Sequence, residues 1–383
     1  MNLELTAEQR AVRDEARAFV TAEVAPHADR WDREEAVPGE LIDQLRARGY
    51  LGSLLPAELG GRGLDMISYG LLTEEIGRGC SSVRSLLTVH DMAVRAIERF
   101  GDPAAKERFL PALARGAILG AFALSEPNAG SDANSVETTA VSEGDGGGWV
   151  LTGRKKWTTF GQIADLFLVF ARVESAGGYQ PTVFLLERDT PGLTVRPLRG
   201  ITGTRASLLA ELEIEGCRIP AAHRVGRIGS GVSHVASYTL EQGRYSVACG
   251  AVGLGQACLD ASFAYATERH QFGVPLIRHQ LVSAMITDMI VGVRAARLLC
   301  LRAGWLRASR DPAAGAETMA AKYFASVMAA KAANDAVQIH GANGCSEEFP
   351  VGRYLRDAKV LEIIEGSTQI QQISIPRFPF AEL

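Results

Sequence analysis

The sequence predicts a chain that is mainly α with a central β domain. Three observations carry that class. Residues up to about 119 hold only helical periodicity and helix caps, short runs rich in β-branched and aromatic residues fill 120 to about 236, and long helical stripes return from 237. The expected domains are residues 1–119, 120–236 and 237–383. A chain of 383 residues exceeds one ordinary core, and at about 150 residues per domain it predicts two or three packed units.

The elements follow in order. Thr6 and Gln9 form a T-x-x-Q capping box, and Val12, Ala16, Phe19 and Val20 then share one helical stripe, predicting a first helix to about Val24. Pro38 opens a second helix through Leu41, Ile42 and Leu45, with Gly49 placed to end it. Asp102 and Pro103 give an N-cap and a first-turn proline for another, with Gly116 closing it. From 120 onward WVLTGRKKWTTF, ADLFLVFARV, PTVFLLER, GLTVRPL and LLAELEIEGCRIP read as strands separated by Gly, Pro and Asp. Helical stripes then cover about 237–269, 276–309 and 316–341, broken by HQFGVP and SRDPAAGAE. The GDGGG run at 144–148 reads as a small turn.

Composition excludes several classes. The chain carries 40 Lys and Arg against 44 Asp and Glu, with 47% apolar and 22% charged residues. It has the apolar content for large cores and lacks the basic surplus that duplex nucleic acid requires, so neither disorder nor a nucleic-acid partner is expected. Six cysteines without a C-x-x-C pair or a histidine cluster predict reduced thiols in a cytoplasmic protein, and no metal site. The charged, amphipathic start lacks a signal peptide's apolar segment. The longest uncharged apolar stretches, such as 247–259, fall short of the roughly 20 residues of a bilayer span. A soluble protein with no membrane partner is expected.

Several nucleotide-binding patterns match only in part. Gly148 to Gly153 has the glycine spacing of a P-loop, but no GK[ST] follows and a strand is predicted through it. Gly253 and Gly255 lie within a helical stripe, where close helix packing explains them. HExxH and GxSxG are absent. Five other segments stand out together: LSEPNAGSD (124–132), KKWTTF (155–160), ERHQFG (268–273), QIHGANG (338–344) and IIEGSTQI (363–370). Alone, each has an ordinary explanation. LSEPNAGSD makes a capped turn, Trp157 a core tryptophan, Glu365 a solvated carboxylate, and His340 or His279 a packing residue.

In this order, on a helix–strand–helix texture, these segments resemble the acyl-CoA dehydrogenase family from the first helix to Arg377. The resemblance implies an N-terminal helical domain, a middle β-barrel and a C-terminal four-helix bundle, with FAD between the last two. It further implies that Phe122, Leu124, Ser125 and Ser131 line the flavin ring and pyrophosphate, that Trp157 flanks the isoalloxazine, and that Thr159 donates to flavin N5. Arg269, Gln271 and Phe272 match an arm that reaches a neighbouring subunit's FAD, so a homo-oligomer, dimer or tetramer, is implied. Gln280, Gln338 and Gly341 match adenosine-side contacts, and Ser367 and Gln369 also fall at FAD positions. Donors around the flavin stabilise the charge that reduction deposits, and an arginine offsets the pyrophosphate.

Glu365 occupies the family's catalytic-base position, beside the α-carbon of a bound thioester; a branch of the family places the base near 243, where this chain has Gly243. The substrate positions implied are Arg84, Ser85, Ser131, Arg244 and Gly366. Arg84, in CSSVRSLLTVH (80–90), is either a surface arginine or a polar anchor at the blind end of the acyl pocket. Arg84-Ser85, with ETTA (137–140) and RAS (205–207), is similar to glutaryl-CoA dehydrogenases, although Gly77 stands where those enzymes carry a partner glutamate. The C-S-S-x-R-S run and Ile364 before Glu365 are closer to acyl-carrier-protein dehydrogenases that make hydroxymalonyl and aminomalonyl extender units for polyketides. The functions expected are an FAD-dependent dehydrogenase of a short, polar-ended acyl-ACP or, alternatively, a catabolic short-chain or dicarboxylic acyl-CoA dehydrogenase. Electron-transfer flavoprotein or O₂ would accept the electrons. An oxidase on the same scaffold and a non-catalytic helical scaffold are the other readings.

Overall fold

The computed structural model describes residues 4–144, 146–175 and 178–378; Asp145 of the GDGGG turn lies outside them. The chain opens with helices α1 (Ala7–Phe19), α2 (Ala28–Glu34), α3 (Gly39–Ala47), α4 (Met66–Gly79), α5 (Ser81–Phe100) and α6 (Pro103–Ala114). The predicted capping box is formed: the Gln9 N–H donates to Thr6 Oγ1 at 3.2 Å and the Thr6 N–H to Gln9 Oε1 at 3.0 Å. Past Phe19 the first helix widens into a π-type turn over Val20–Val24, which puts Val20 and Val24 against Gly79 of α4. Asp102 caps α6 through the Ala104 N–H, and Gly116 beyond its end has φ +63°.

The β domain holds β1 (Gly120–Ala123), β2 (Thr139–Ser142), β3 (Trp149–Thr158), β4 (Leu166–Ser175), β5 (Gly178–Glu187), β6 (Leu193–Pro197), β7 (Ala210–Ile219) and β8 (Arg224–Val225). They form one sheet in the order β6-β7-β3-β2-β4-β5-β8, with β1 parallel to β4. The short β1, β2 and β8 were not separable in the sequence, because two to four residues show no alternation. One face of the sheet packs against α5 and α6 through Leu168, Phe170 and Val183, and the other carries Phe167, Val169, Leu212 and Ile214 in a core of its own.

The C-terminal part comprises α7 (Ser237–Glu268), a two-stranded hairpin of β9 (His270–Gln271) and β10 (Val274–Pro275), α8 (Gln280–Ala308), α9 (Ala314–His340), α10 (Val351–Ile363) and α11 (Thr368–Ser374). Helices α7 to α10 share a core dominated by alanine. Small residues bring the helix axes close, and Gly253 shows how far this goes: a Cβ there would lie 2.0 Å from the Glu74 carbonyl of α4. Packing, not a dinucleotide loop, therefore accounts for that glycine. The helix running from Gly231 to Glu268 is, contrary to expectation, long and apolar enough to cross a membrane by length and composition, but 67% of its most apolar window is buried inside the protein. It is the central helix of the bundle. Among the described residues no His, Cys, Asp and Glu cluster could hold a metal ion.

Candidate active site

The site is built around the turn that ends α10. Ile364 closes the helix, its N–H still donating to Val360, and the next two residues enter the left-handed region, Glu365 at φ +56° and Gly366 at φ +89°. For a glutamate this conformation is uncommon and needs outside support. Three side chains supply it. Arg244 Nε donates to the Glu365 carbonyl at 3.1 Å. Gln371, fully buried, donates to the Glu365 and Gly366 carbonyls at 3.2 and 3.1 Å. Lys322 Nζ donates to the Gly366 carbonyl at 2.8 Å.

The turn sends the Glu365 side chain inward against α7. A Cβ built on Gly243 would lie 2.2 Å from Glu365 Oε2 and 2.9 Å from Met92 Sδ of α5, so the carboxylate occupies the space a side chain at 243 would take. Oε2 is buried without a hydrogen-bond partner. Burial pushes the carboxyl up to about 7, while Arg244, Arg84 and Lys322 oppose the rise by favouring the charged form. A carboxylate so placed is poised to take a proton near neutral pH. Glu365 is partly buried with Oε2 enclosed, so it is not a freely solvated surface carboxylate.

Two turns farther along α7, Arg84 lies in the protein interior. It is 1% exposed, and a Cβ on Gly250 would meet its Cδ at 2.7 Å. Arg84 Nη1 donates to Thr88 Oγ1 at 2.9 Å, and that oxygen lies 2.6 Å from Ser246 Oγ of α7. Nε and Nη2 are buried with no acceptor. Burial lowers its pKa to about 10, with Glu365 among the groups acting the other way, so it stays charged at neutral pH. The surface-arginine explanation fails. Gly77 shows why no glutamate partners it: a Cβ at 77 would lie 2.7 Å from the Cα and carbonyl oxygen of Gly250, which leaves no room for any side chain. The Ser85 hydroxyl makes no hydrogen bond to Arg84. One step around the helix, it donates to the Ser82 carbonyl at 2.6 Å and sits 3.0 Å from Ser207 Oγ of the RAS segment.

On the β domain, a buried ion pair fixes the LSEPNAGSD loop. Lys155 Nζ donates to Glu126 Oε1 at 2.6 Å and to the Leu124 carbonyl at 3.2 Å, and Glu126 also accepts from the Glu137 and Thr138 N–H groups. The Lys156 N–H donates to the Ser125 carbonyl at 2.9 Å, so the loop and the end of β3 form one edge carrying Leu124, Ser125 and Trp157. Trp157 is no core tryptophan: it is 51% exposed, at φ +65°, with Lys156 Nζ 5.1 Å from its ring centre. Thr159 is partly buried and Ser131 exposed on the same loops. Phe122 is partly buried and packs on Phe170, ring centres 5.0 Å apart.

The remaining predicted residues lie elsewhere. Arg269, at the end of α7, and Gln271 and Phe272, on the hairpin, are all exposed, Phe272 to 95%; the His279 ring nitrogen Nε2 braces the hairpin at the Gln271 carbonyl, 3.1 Å away. Gln280 and Gln338 are exposed, and Gly341 ends α9 at φ +60°. His340 packs as a core histidine, stacked on Tyr265 with Nδ1 2.8 Å from the Ala336 carbonyl. Ser367 caps α11 by accepting from the Ile370 N–H, and Gln369 points to solvent. The fold thus joins Glu365, Gly366, Arg244 and Arg84 along α7, and leaves the 269–272 arm on an outer surface.

Sequence reasoning missed Lys322, Gln371, Thr88 and Ser246. The signal for Lys322 was present: it falls on the buried stripe of α9 with Thr318, Ala321, Ala325, Ser326 and Ala329, where a lysine has to answer to an internal acceptor.

The chain matches the N-terminal, middle and C-terminal domains of acyl-CoA dehydrogenases over residues 6–117, 121–217 and 229–378. It is 40% identical to a probable acyl-CoA dehydrogenase of Bacillus subtilis, covering 98% of this chain and 99% of the relative. A glutaryl-CoA dehydrogenase of Desulfococcus multivorans is 35% identical, with 98% and 97% covered. Among solved structures, butyryl-CoA dehydrogenase from Megasphaera elsdenii superposes with a TM-score of 0.94 at 35% identity, covering 98% of this chain and 99% of that one. FkbI, described as acting in biosynthesis of a methoxymalonyl extender unit, superposes with a TM-score of 0.86 at 35% identity, with 94% and 98% covered.

Proposed function

The chain belongs to the acyl-CoA dehydrogenase family of FAD-dependent oxidoreductases, and we propose that it oxidises a short acyl thioester whose far end is polar or carboxylate. The observation that carries this reading is Arg84: a buried guanidinium with Nε and Nη2 unpaired. An unmatched buried charge costs several kcal/mol, so the pocket favours a substrate that brings an acceptor to it. A plain hydrocarbon tail brings none.

Helix α7 sets the length. Gly243 marks the base and Gly250 the arginine, seven residues or about 10 Å apart along the axis. Subtracting about 3 Å at each end for contact with the carboxylate and the guanidinium leaves about 4 Å, roughly three carbon–carbon bonds. The guanidinium reaches toward Thr88 and Ser246, which lies between the two glycines, so this span is an upper bound.

In the proposed reaction Glu365 removes the α-proton at Oε2. Arg244 and Lys322 hold the turn that aims it, and the Glu365 N–H, past the end of α10, would donate to the thioester oxygen. FAD, when bound, supplies the acceptor for the β-hydride. The residues present fit that cofactor: Trp157 offers a half-exposed indole at φ +65° beside the Leu124–Ser125 edge, and the Glu365 carboxylate has a buried oxygen with no protein partner. Leu124, Ser125, Trp157 and Thr159 would line the flavin, with Ser131 at the pyrophosphate. Arg269, Gln271 and Phe272 would serve the cofactor of a second copy in a homo-oligomer.

The carrier we favour is an acyl carrier protein, on the strength of the CSSVRS run and the similarity to FkbI. The alternative is a CoA thioester of a dicarboxylic acid, supported by Ser207 beside Ser85 and the glutaryl-CoA dehydrogenase relative. Anaerobic mixing of the FAD-loaded enzyme with matched acyl-ACP and acyl-CoA thioesters, short polar-ended against plain butyryl, tests both parts. Faster flavin bleaching by polar-ended chains supports the reading, and a preference for butyryl on either carrier overturns it. The faster carrier decides between the two versions.

A further inference from the structure

We propose that Lys322 is the positioning residue of the base: its ammonium, fixed on the Gly366 carbonyl, locks the left-handed Glu365–Gly366 turn that lays the carboxylate against Gly243. The proposal rests on the reading of Glu365 as the base.

Lys322 is fully buried in α9, one helix away from the turn it holds. Its hydrogen bonds run to two backbone carbonyls, Gly366 at 2.8 Å and Glu362 at 3.5 Å. Burying an ammonium is expensive, and a carbonyl is a poorer partner than a carboxylate. Stability alone would be served better by an apolar side chain on that alanine-rich stripe. What the lysine provides is location. Gln371 donates to the same carbonyl, but as a neutral amide six or fewer residues away in the same segment it moves with the turn. Lys322 ties the turn to the bundle. Arg244 does the same for the preceding carbonyl, from α7.

The charge acts in the same direction as the clamp. The Glu365 carboxylate is faced by Arg84 from α5, Arg244 from α7 and Lys322 from α9, and each favours its ionised form. Lys322 in turn is faced by Glu365, by Glu362 of α10 and by Arg244; burial holds it down to about 8, so it remains protonated through neutral pH. Removing it leaves two guanidiniums against an undiminished desolvation cost. The base should then ionise only at higher pH.

The test uses the FAD-loaded protein with Lys322→Met, Lys322→Gln and Lys322→Arg, compared for the pH profile of flavin bleaching, substrate Kd and visible flavin spectrum, with Glu365→Gln in parallel. Met and Gln should retain FAD and bind substrate within about threefold of the parent, while bleaching at pH 7 falls roughly 10- to 100-fold and its ionisation limb moves at least half a pH unit upward, as expected for a mispositioned, less ionised base. Arg should restore the limb. Unchanged limbs in Met and Gln would overturn the proposal, as would loss of FAD from all three, which would make Lys322 a folding residue only. Should Met alone fail to fold, the Gln and Arg pair carries the same comparison. If Glu365→Gln itself bleaches at the parent rate, the fault lies with the base assignment; if it is inactive and the Lys322 variants are normal, only the positioning role fails.

Discussion

Gly243 and Glu365 share one space: the side chain the first residue lacks is the volume the second residue's carboxylate fills, with 2.2 Å between a Cβ at 243 and Oε2. The acid and the glycine are thus parts of a single design, and the first prediction tests it. Gly243→Ala should leave fold and FAD in place but push the carboxylate aside, slowing flavin reduction roughly 10- to 100-fold, since displacement by about 1 Å is costly to catalysis. Rapid-mixing bleaching measures it.

The second prediction concerns pH. Glu365 ionises at about 7 in the folded chain against 4.5 for an ordinary glutamate. Because its folded value is raised, the folded state holds this proton longer than the unfolded state, and stability falls as pH rises from about 4.5 to about 7. The loss is at most about 3 kcal/mol. Glu365→Gln should therefore raise the melting temperature at pH 8 and change it little at pH 4.5, measured by calorimetry on the same FAD-free preparations. Activity should follow the opposite course, with the rate of flavin reduction rising through pH 7 as the base ionises.

Arg84→Met should abolish reduction by the native polar-ended thioester and improve binding of a butyryl thioester, with the flavin spectrum unchanged. A chain-length series read by flavin bleaching checks it. If every thioester behaves as with the parent, the polar-end reading loses its main support.

How much of this was legible in the sequence depended on the range of the forces involved. The helix–strand–helix order, the Thr6 and Asp102 caps and the five strand-like runs were readable, because capping and alternation are local. Gly253 was read as a packing glycine for the same reason: it sat in a helical stripe. The burial of Arg84 was legible only as one of two alternatives. Its side chain lies against Gly250 of another helix, and its hydrogen-bonding partner Thr88 leads to Ser246, 158 residues away. Lys322 was overlooked because its acceptor, Gly366, lies on a turn 44 residues on. Ser85 was paired with Arg84 through the likeness of the Arg-Ser run to glutaryl-CoA dehydrogenases; adjacent residues on a helix face different directions, and its hydroxyl lies beside Ser207, 122 residues away, a contact no local pattern shows.

Gly77→Glu, which would supply Arg84 with an internal carboxylate, should fail to do so. The Cβ would sit 2.7 Å from the Gly250 backbone, and forcing α4 from α7 should cost about 2 kcal/mol or more. Chemical denaturation should show the loss, while Gly77→Ala should already show most of it.

Arg269→Ala should weaken FAD retention and self-association together, since the exposed arm carrying Arg269 and Phe272 is proposed to complete a second copy's site. Sedimentation and flavin content on dilution measure the pair. A variant that remains a fully flavinated oligomer through dilution would count against that role.

The central claim is that Glu365 takes the α-proton, and anaerobic rapid mixing of FAD-loaded Glu365→Gln with the best short, polar-ended thioester tests it most directly. The amide keeps the shape of the side chain and cannot accept the proton, so the flavin should remain yellow, with bleaching slower than the parent by at least about a thousandfold. Bleaching at a rate close to the parent's would contradict the claim.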